Sequence, residues 1–280
     1  MQFRTIDGSG QRFVISQAGS GPDVVLLHGF PDTPHSYGPL QDALVAAGFR
    51  VTAPWLRGYE RETIVAGRPY DALTIGRDAL ALLDALGLQR AVLVGHDWGA
   101  LIAYVAAALQ PQRVHALVTL AIPHPSVLRR TPSAVWGVRH FFALKLPWAA
   151  ASARRNDLAY LDRLYSRWAP NWTGPVRDES LAHAKQALAS PETLDGAIAY
   201  YRAIPLGKGP ALLESAPAVP GLIVGGTEDI IGSELFTQTA ALLPAPSRAL
   251  IVPGAGHWPH LESRELVTGE VLDFLARVPA

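Results

Sequence analysis

The sequence predicts an α/β fold: a mostly parallel central sheet flanked by helices, with a helical cap inserted between its later strands. Three observations predict it. Short β-branched or apolar runs alternate with longer amphipathic stretches, the pattern of strands that each feed a crossover helix. The first segments depart from that alternation and read as a hairpin. Between Pro123 and Glu214 the rhythm breaks into a helical composition that carries Trp136, Trp148, Trp168 and Trp172 and no convincing core strand.

Each element follows in order. Segments 3–6 and 12–16 flank the turn-forming Asp7-Gly8-Ser9-Gly10 and pair as a β-hairpin. After the turn Gly19-Ser20-Gly21-Pro22 come a strand over 24–27, a helix over about 36–47 and a strand over 49–53. A helix over 71–86 precedes a strand over 91–94, then a helix over 98–109 and a strand over 114–121. Within the insertion, Ser190-Pro191 supplies an N-cap serine and a first-turn proline, so a helix starts there and must end before Pro205. The alternation resumes with a strand over 221–224, a helix over 233–243, a strand over 249–252 and a last helix over 262–275. The expected division is a sheet core over 1–123 and 215–280 with a cap over 124–214. No internal repeat or low-complexity linker interrupts the chain, so the cap should pack on the core.

Composition narrows the function. At roughly 100–200 residues per domain, 280 residues make one large or two small domains, long enough for a sizeable core. The 49% hydrophobic and 17% charged content describes a globular chain. Its 24 basic and 24 acidic residues cancel, which argues against a binder of phosphate backbones, and no long run of like charge appears. The absence of cysteine excludes a disulfide framework, a thiolate zinc site and a cysteine nucleophile together. The first residues, Met1-Gln2-Phe3-Arg4-Thr5-Ile6-Asp7, contain no apolar signal core, and the longest nearly uncharged apolar stretch, 98–109, is too short for a bilayer. The expectation is a cytoplasmic protein acting on something small and uncharged, without nucleic-acid or membrane partners.

The most informative residues are Gly95-His96-Asp97-Trp98-Gly99, directly after one predicted strand and directly before a helix. That is the context of a nucleophile elbow, usually G-x-S-x-G, whose small residues allow a strained turn and close approach of strand and helix. Here the central residue is Asp97. A carboxylate attacking an ester or amide carbonyl would make an anhydride, which is uphill; attacking a saturated carbon that bears a leaving group, it makes an ordinary ester. The electrophile this predicts is an epoxide or an alkyl halide. The plainer alternative is a turn whose Asp97 caps the following helix, since Asp is a favoured N-cap.

Cleavage of such an ester requires a general base and a group to orient it. His257 stands after the last strand in Gly254-Ala255-Gly256-His257-Trp258-Pro259-His260, a glycine-rich loop where a purely structural histidine has little reason to be. The orienting acid belongs in Gly225-Gly226-Thr227-Glu228-Asp229, where Asp229 is the choice and Glu228 a stand-in. Metal binding by His257 and His260 is a weak rival, with a two-residue spacer and no further ligand cluster nearby. Ester hydrolysis passes through an oxyanion that needs two backbone N–H donors. Trp98 should supply one and Phe30, in His28-Gly29-Phe30-Pro31-Asp32, the other; the alternative there is a loop around a packed histidine.

These residues resemble the epoxide hydrolase branch of the α/β-hydrolase superfamily over most of the chain: His28-Gly29-Phe30-Pro31, Arg57-Gly58-Tyr59, Gly95-His96-Asp97-Trp98-Gly99, Gly226-Thr227-Glu228-Asp229 and Gly256-His257. The first and third are specific in combination, and the order nucleophile, acid, base is that of α/β-hydrolases. The resemblance implies that fold, no cofactor or metal, and a cap with two acidic donors, usually tyrosines, which hold the epoxide oxygen and protonate the departing alkoxide. An alkoxide is a poor leaving group without a proton. The family context of the second donor, an aromatic pair followed by arginine, matches Tyr200-Tyr201-Arg202 and implies Tyr201; adjacent helical residues point about 100° apart, so only one of the pair should face the pocket. For the first donor the family's tyrosine gives way to His140, reached by counting back from Pro147, and some relatives pair His with Tyr. Imidazole donates if its proton lies on the correct nitrogen. A plain surface histidine is the alternative, with Tyr160 and Tyr165 as replacement donors. Phe30, Trp98, Tyr200 and Phe141 are expected to line the substrate pocket.

The rival enzyme is a haloalkane dehalogenase with the same Asp97, His257 and Asp229. Halide departure needs only N–H donors, of which Trp98 is one, but the Phe30 side chain cannot be the second. A haloacetate dehalogenase would want arginines where Trp98 and Leu101 stand, and a serine esterase lacks its serine. A ligand-binding hydrolase fold without turnover usually loses a triad member, and none is missing here.

Overall fold

The fold is described from a computed structural model, which covers residues 1–128, 139–205 and 209–278. Eight strands form one sheet: β1 (Phe3–Gly8), β2 (Gln11–Ala18), β3 (Asp23–Leu27), β4 (Arg50–Pro54), β5 (Ala91–His96), β6 (Val114–Leu120), β7 (Gly221–Gly226) and β8 (Arg248–Val252). Their spatial order is β1-β2-β4-β3-β5-β6-β7-β8, antiparallel where β2 meets β1 and β4 and parallel elsewhere. The hairpin is therefore an edge extension of a parallel sheet. Both faces of that sheet are covered, as parallel sheets require. Along β5, Ala91 and Leu93 join the core on one face and Val92 and Val94 the core on the other, the alternation of a pleated strand.

Helices α1 (Gly38–Ala46), α2 (Ala72–Ala85) and α3 (Trp98–Leu109) connect the first strands. Between β6 and β7, five helices lie among the described residues: α4 (His140–Leu144), α5 (Ala149–Ala153), α6 (Arg155–Trp168), α7 (Pro175–Ala187) and α8 (Pro191–Ala203). Trp136, one of the aromatics noted in this segment, lies outside the described residues. After β7 come α9 (Glu234–Leu242), the single turn α10 (Pro259–Glu262) and α11 (Arg264–Arg277). None of the helices among the described residues is long and apolar enough to cross a membrane.

At the start of two predicted helices the structure holds a separate turn. The helix expected from 36 begins at Gly38, because Ser36 Oγ bonds Asp32 Oδ2 and the Thr33 carbonyl, each at 3.0 Å, and holds Pro34–Tyr37 in a tighter 3₁₀ turn. The helix expected over 262–275 is α11, set two residues later: the separate turn α10 stops at Glu262, whose carboxylate is drawn back to the preceding loop, and Ser263, at φ −134°, divides the two. The other predicted elements end within two residues of their expected bounds. Helix α8 starts as its sequence dictates, with the Ser190 hydroxyl accepting the Thr193 N–H at 3.2 Å.

The helices between β6 and β7 cover the C-terminal ends of the parallel strands, where open α/β sheets bind ligands. Three hydrogen bonds tie them down. Tyr165 donates to the Pro31 carbonyl beyond β3, Tyr200 to the Arg57 carbonyl beyond β4, and the His257 N–H beyond β8 donates to the Trp168 carbonyl.

At the entry of α2, Asp71 Oδ1 accepts the N–H groups of Leu73 and Thr74 at 3.0 and 3.1 Å. Replacing Asp71 with Ala should cost about 1 kcal/mol of stability, the usual worth of an N-cap. Urea denaturation checks this, with the midpoint falling and the transition slope unchanged.

Candidate active site

Asp97 lies between β5 and α3 with φ 50° and ψ −115°, a conformation that non-glycine residues seldom adopt. The turn leaves no room at its flanks. A Cβ on Gly99 would come within 1.9 Å of the Leu27 carbonyl oxygen, and one on Gly29 within 2.4 Å of Asp97 Cβ. Asp97 occupies the N-cap position of α3 but makes no side-chain cap bond. Its carboxylate turns away, so the capping explanation fails and the side chain is available for other work.

Asp97 Oδ1 accepts the Phe30 N–H at 2.8 Å, and Oδ2 lies 3.4 Å from His257 Nε2. The Trp98 N–H opens α3, among the first-turn amides that a helix leaves without an internal acceptor. His257 Nδ1 lies 3.1 Å from each oxygen of Asp229. The Asp229 side chain is fully buried, whereas Glu228 is exposed and its Oε1 accepts from the neighbouring Thr227 hydroxyl at 3.3 Å. Of the two acids in the motif, the structure brings Asp229 to the histidine and turns Glu228 away.

Charge and burial set the protonation of this row. Burial works to raise the Asp97 carboxyl, but the hydrogen bond and charge of His257, with His96 and the Phe30 N–H, outweigh it and hold Asp97 below the usual carboxylate range. For His257, burial works against the charged ring, yet the paired charges and hydrogen bonds of Asp229 and Asp97 lift it to about 10. The two acids thus favour the charged form of the His257 ring between them.

Aromatic groups close the space above. Tyr201 is fully buried, with ring centroids 5.2 Å from Phe30, 5.0 Å from Trp98, 5.1 Å from Phe141 and 5.8 Å from His140. Its hydroxyl meets no acceptor among the described residues; burial pushes its pKa far up against the opposing effect of the Trp98 side chain, whose indole N–H can only donate, so the phenol stays neutral with its proton free. Tyr200 points the other way: its hydroxyl is committed to the Arg57 carbonyl at 2.9 Å, though its ring still lies 5.2 Å from Trp98. Phe141 stacks on Trp98 at 6.4 Å.

His140 is a buried residue, not a surface histidine, packed 4.6 Å from both Phe141 and Trp168, with Nδ1 unpartnered. Burial lowers its pKa to about 3, which leaves a neutral ring with one N–H to donate. Of the two replacement tyrosines, Tyr165 is spent on the Pro31 carbonyl at 3.2 Å and on Ser180. The Tyr160 hydroxyl is unpartnered and raised by burial to about 12.

His28 is indeed a packed histidine. Its Nε2 accepts the Leu56 N–H at 3.0 Å, so the proton lies on Nδ1, which donates to the Gly29 carbonyl at 3.1 Å; the ring thereby holds the loop that presents Phe30. Both nitrogens of His257 face carboxylates, which leaves it no part in a metal pair with His260. Sequence reasoning missed a second layer, in which His96 Nδ1 lies 3.1 Å from Asp32 Oδ2 and Nε2 donates to the His257 carbonyl at 2.8 Å. Asp32, His96 and His260 are the one group of potential metal ligands to approach one another among the described residues. Asp32 is already bonded by Thr33, Ser36 and His96. Its signal was the position of Asp32 and His96 inside two motifs quoted for other residues.

A carboxylate on a strained strand-to-helix turn, backed by an imidazole and an acid at the C-terminal edge of a parallel sheet, defines a hydrolase of the α/β type. Comparison with known proteins agrees. The family model described as alpha/beta hydrolase fold matches residues 22–263. An epoxide hydrolase from Caballeronia sordidicola is 31% identical over 95% of this chain and 91% of its own. Epoxide hydrolase A from Mycobacterium tuberculosis is 30% identical over 97% and 96%. The structure of an epoxide hydrolase from an endophytic Streptomyces superposes with a TM-score of 0.82 at 26% identity, covering 98% of this chain and 95% of that one. The chain belongs to the α/β-hydrolase family, in its epoxide hydrolase branch.

The electrostatics give a direct expectation. Replacing Asp97 with Asn removes one of the two carboxylates that raise His257, so its pKa should fall measurably below about 10, as read by NMR titration of the ring. Because the folded pKa lies above the ordinary 6.5, the associated stability is present below pH 6.5 and is lost as pH rises towards 10; the variant should lose it over a narrower and less alkaline range.

Proposed function

We propose that this protein is an epoxide hydrolase that converts a small apolar epoxide and water to a vicinal diol through an alkyl ester on Asp97, without cofactor or metal. One observation carries the reading: the Asp97 carboxylate sits between the Phe30 N–H at 2.8 Å and His257 at 3.4 Å, and the Tyr201 ring packed on Phe30 and Trp98 has a hydroxyl without an acceptor among the described residues. The names of the relatives support the same substrate class. In this reading residues 1–123 and 215–280 are the core and 124–214 a cap. The balanced charge supports a protein without nucleic acid as partner; a cytoplasmic setting without a membrane partner is part of the same proposal.

Asp97 attacks one epoxide carbon while Tyr201, with His140 as second donor, holds the oxygen and supplies the proton as the C–O bond breaks. Tyr200 is left out because its hydroxyl is committed elsewhere; its ring, with Phe30, Trp98 and Phe141, shapes an apolar pocket. Esterification then removes the charge on Asp97. That loss takes away part of what held His257 at about 10, so the ring can release its proton, the phenol is restored, and the free Nε2 becomes a base. His257, oriented by Asp229, takes a proton from water as the oxygen attacks the ester carbonyl. The Phe30 and Trp98 N–H groups receive the oxyanion. As this intermediate collapses, the remaining proton of the added water passes to the departing oxygen, which leaves as the diol and restores the Asp97 carboxylate, so that one epoxide and one water give one diol.

A second reading has one observation in its favour. The indole N–H groups of Trp98 and of Trp168 are both buried and unpartnered, and a departing halide needs such donors. Diol and halide release from a panel of styrene-type, aliphatic and terpene-like epoxides beside haloalkanes separates the two.

His257→Gln should trap the covalent intermediate, visible by intact mass as an increase equal to the epoxide. No adduct with any epoxide or haloalkane would remove Asp97 as nucleophile and leave a binding protein. Tyr201→Phe should slow epoxide opening by about 10²-fold, the lower range for a general acid, and leave any haloalkane reaction nearly unchanged. Equal loss on both substrates would reject the donor role.

A further inference from the structure

Glu262 has a role that the proposed chemistry leaves unassigned. It ends the single turn α10 and divides its two oxygens: Oε2 accepts the Gly256 N–H at 2.7 Å and Oε1 the Trp258 N–H at 2.9 Å. Those amides flank His257 on either side. The His257 N–H itself donates to the Trp168 carbonyl at 2.9 Å, and its carbonyl accepts from His96 Nε2 at 2.8 Å. Each of these backbone groups in the base loop is therefore assigned to one partner. Two of them depend on one side chain.

Holding a carboxylate there is costly, which argues against an incidental contact. Burial raises the Glu262 carboxyl, and the nearby Asp229 charge raises it further; the two backbone N–H bonds and His257 oppose that rise. A neutral side chain could close the same turn at less cost, but only a carboxylate presents two acceptor oxygens to two converging amides. Glutamine keeps one acceptor and puts an NH₂ against the other N–H. What the geometry secures is the base: His257 Nδ1 stays 3.1 Å from both Asp229 oxygens while Nε2 stays 3.4 Å from Asp97.

We infer that Glu262 is a positioning residue for the base, a clamp on the amides of Gly256 and Trp258 that fixes the His257 ring between Asp229 and Asp97 and thereby sets the rate of ester hydrolysis without touching the substrate. This rests on reading His257 as the base of an alkyl-enzyme cycle. The clamp acts on the second half of the cycle only, because attack on the epoxide uses Asp97 with Tyr201 and His140 as donors.

The two half-reactions separate in a rapid-quench experiment with a styrene-type epoxide, in which the alkylated enzyme is counted by intact mass and the diol by chromatography. Glu262→Ala should slow hydrolysis of the ester by about tenfold or more, since misplacement of a reacting group by about 1 Å can cost 10²-fold. Its alkylation should stay within about threefold of the parent, so that the ester accumulates. Glu262→Gln should fall between the two, because one N–H keeps its acceptor; it also carries the test if the alanine variant does not fold. Slowing of both steps by the same factor, or hydrolysis unchanged in both variants, overturns the clamp. His257→Gln run alongside separates the failures: no adduct there removes the base reading itself, whereas an adduct there with normal hydrolysis in the Glu262 variants removes the clamp alone.

Discussion

At Asp97 the chain reverses from β5 into α3 with φ at 50°, and the rest of the site is arranged to receive the carboxylate that this turn projects beyond the end of the sheet. A residue held so far from ordinary backbone angles persists only where its surroundings over-determine it. Here they do so from both sides. The missing side chain of Gly99 lets α3 press against the Leu27 carbonyl, and that of Gly29 lets the β3 loop come against Asp97 itself. The same approach that permits the strain also delivers the Phe30 N–H to Oδ1 at 2.8 Å. Strain and the hydrogen-bond donor are thus one packing event.

Electrostatics builds on that geometry. Three ionisable side chains, Asp97, His257 and Asp229, stand in a row from which water is nearly excluded, and burial opposes charge on both Asp97 and His257. Alternation of sign makes the row tenable: each carboxylate lifts the imidazole, and the imidazole lowers Asp97. Such an arrangement responds strongly to loss of one member. In the proposed cycle, esterification neutralises Asp97 and so weakens the hold on the His257 proton through the same coupling. In that reading the protonation state of His257 is tied to the covalent state of its neighbour.

How much of this was legible in the sequence depended on whether a residue is constrained locally. The succession of strands and helices could be read because each parallel strand carries its own apolar run and crossover, though not their spatial order in the sheet, and the turn at Asp97 because glycines at both flanks are steric necessities. The acid could be narrowed to Asp229 or Glu228 but not separated by physics, since adjacent residues differ only in which one the β7 loop turns inward. Tyr200 and Tyr201 were separable in principle by the helical offset, but only the packing of α8 shows the first spending its hydroxyl on Arg57. The burial of His140 was not legible at all, for it arises from Phe141, Trp168 and Tyr201, of which only Phe141 is adjacent in the chain. Glu262 escaped for a related reason: nothing in Pro259-His260-Leu261-Glu262 distinguishes a helix that continues from one that stops so that its last carboxylate can return to the loop before it.

The donors above Asp97 follow a different rule from the row beneath it. Below, every polar atom of the His257 ring is paired; above, the Tyr201 hydroxyl, His140 Nδ1 and the Trp98 indole N–H are buried without partners. A buried unpaired donor costs about 1–3 kcal/mol, so several in one place would be selected against unless a ligand completes them. What completes them must bring an acceptor atom but little charge, because Asp97 is already ionised a few ångströms away and the remaining surface is aromatic. An ether oxygen flanked by apolar carbon meets those conditions, whereas a carboxylate would be repelled by Asp97 and a bare hydrocarbon would leave the donors unsatisfied. In the proposed reading, the polarity of the donor set and the charge beneath it restrict the substrate along with shape.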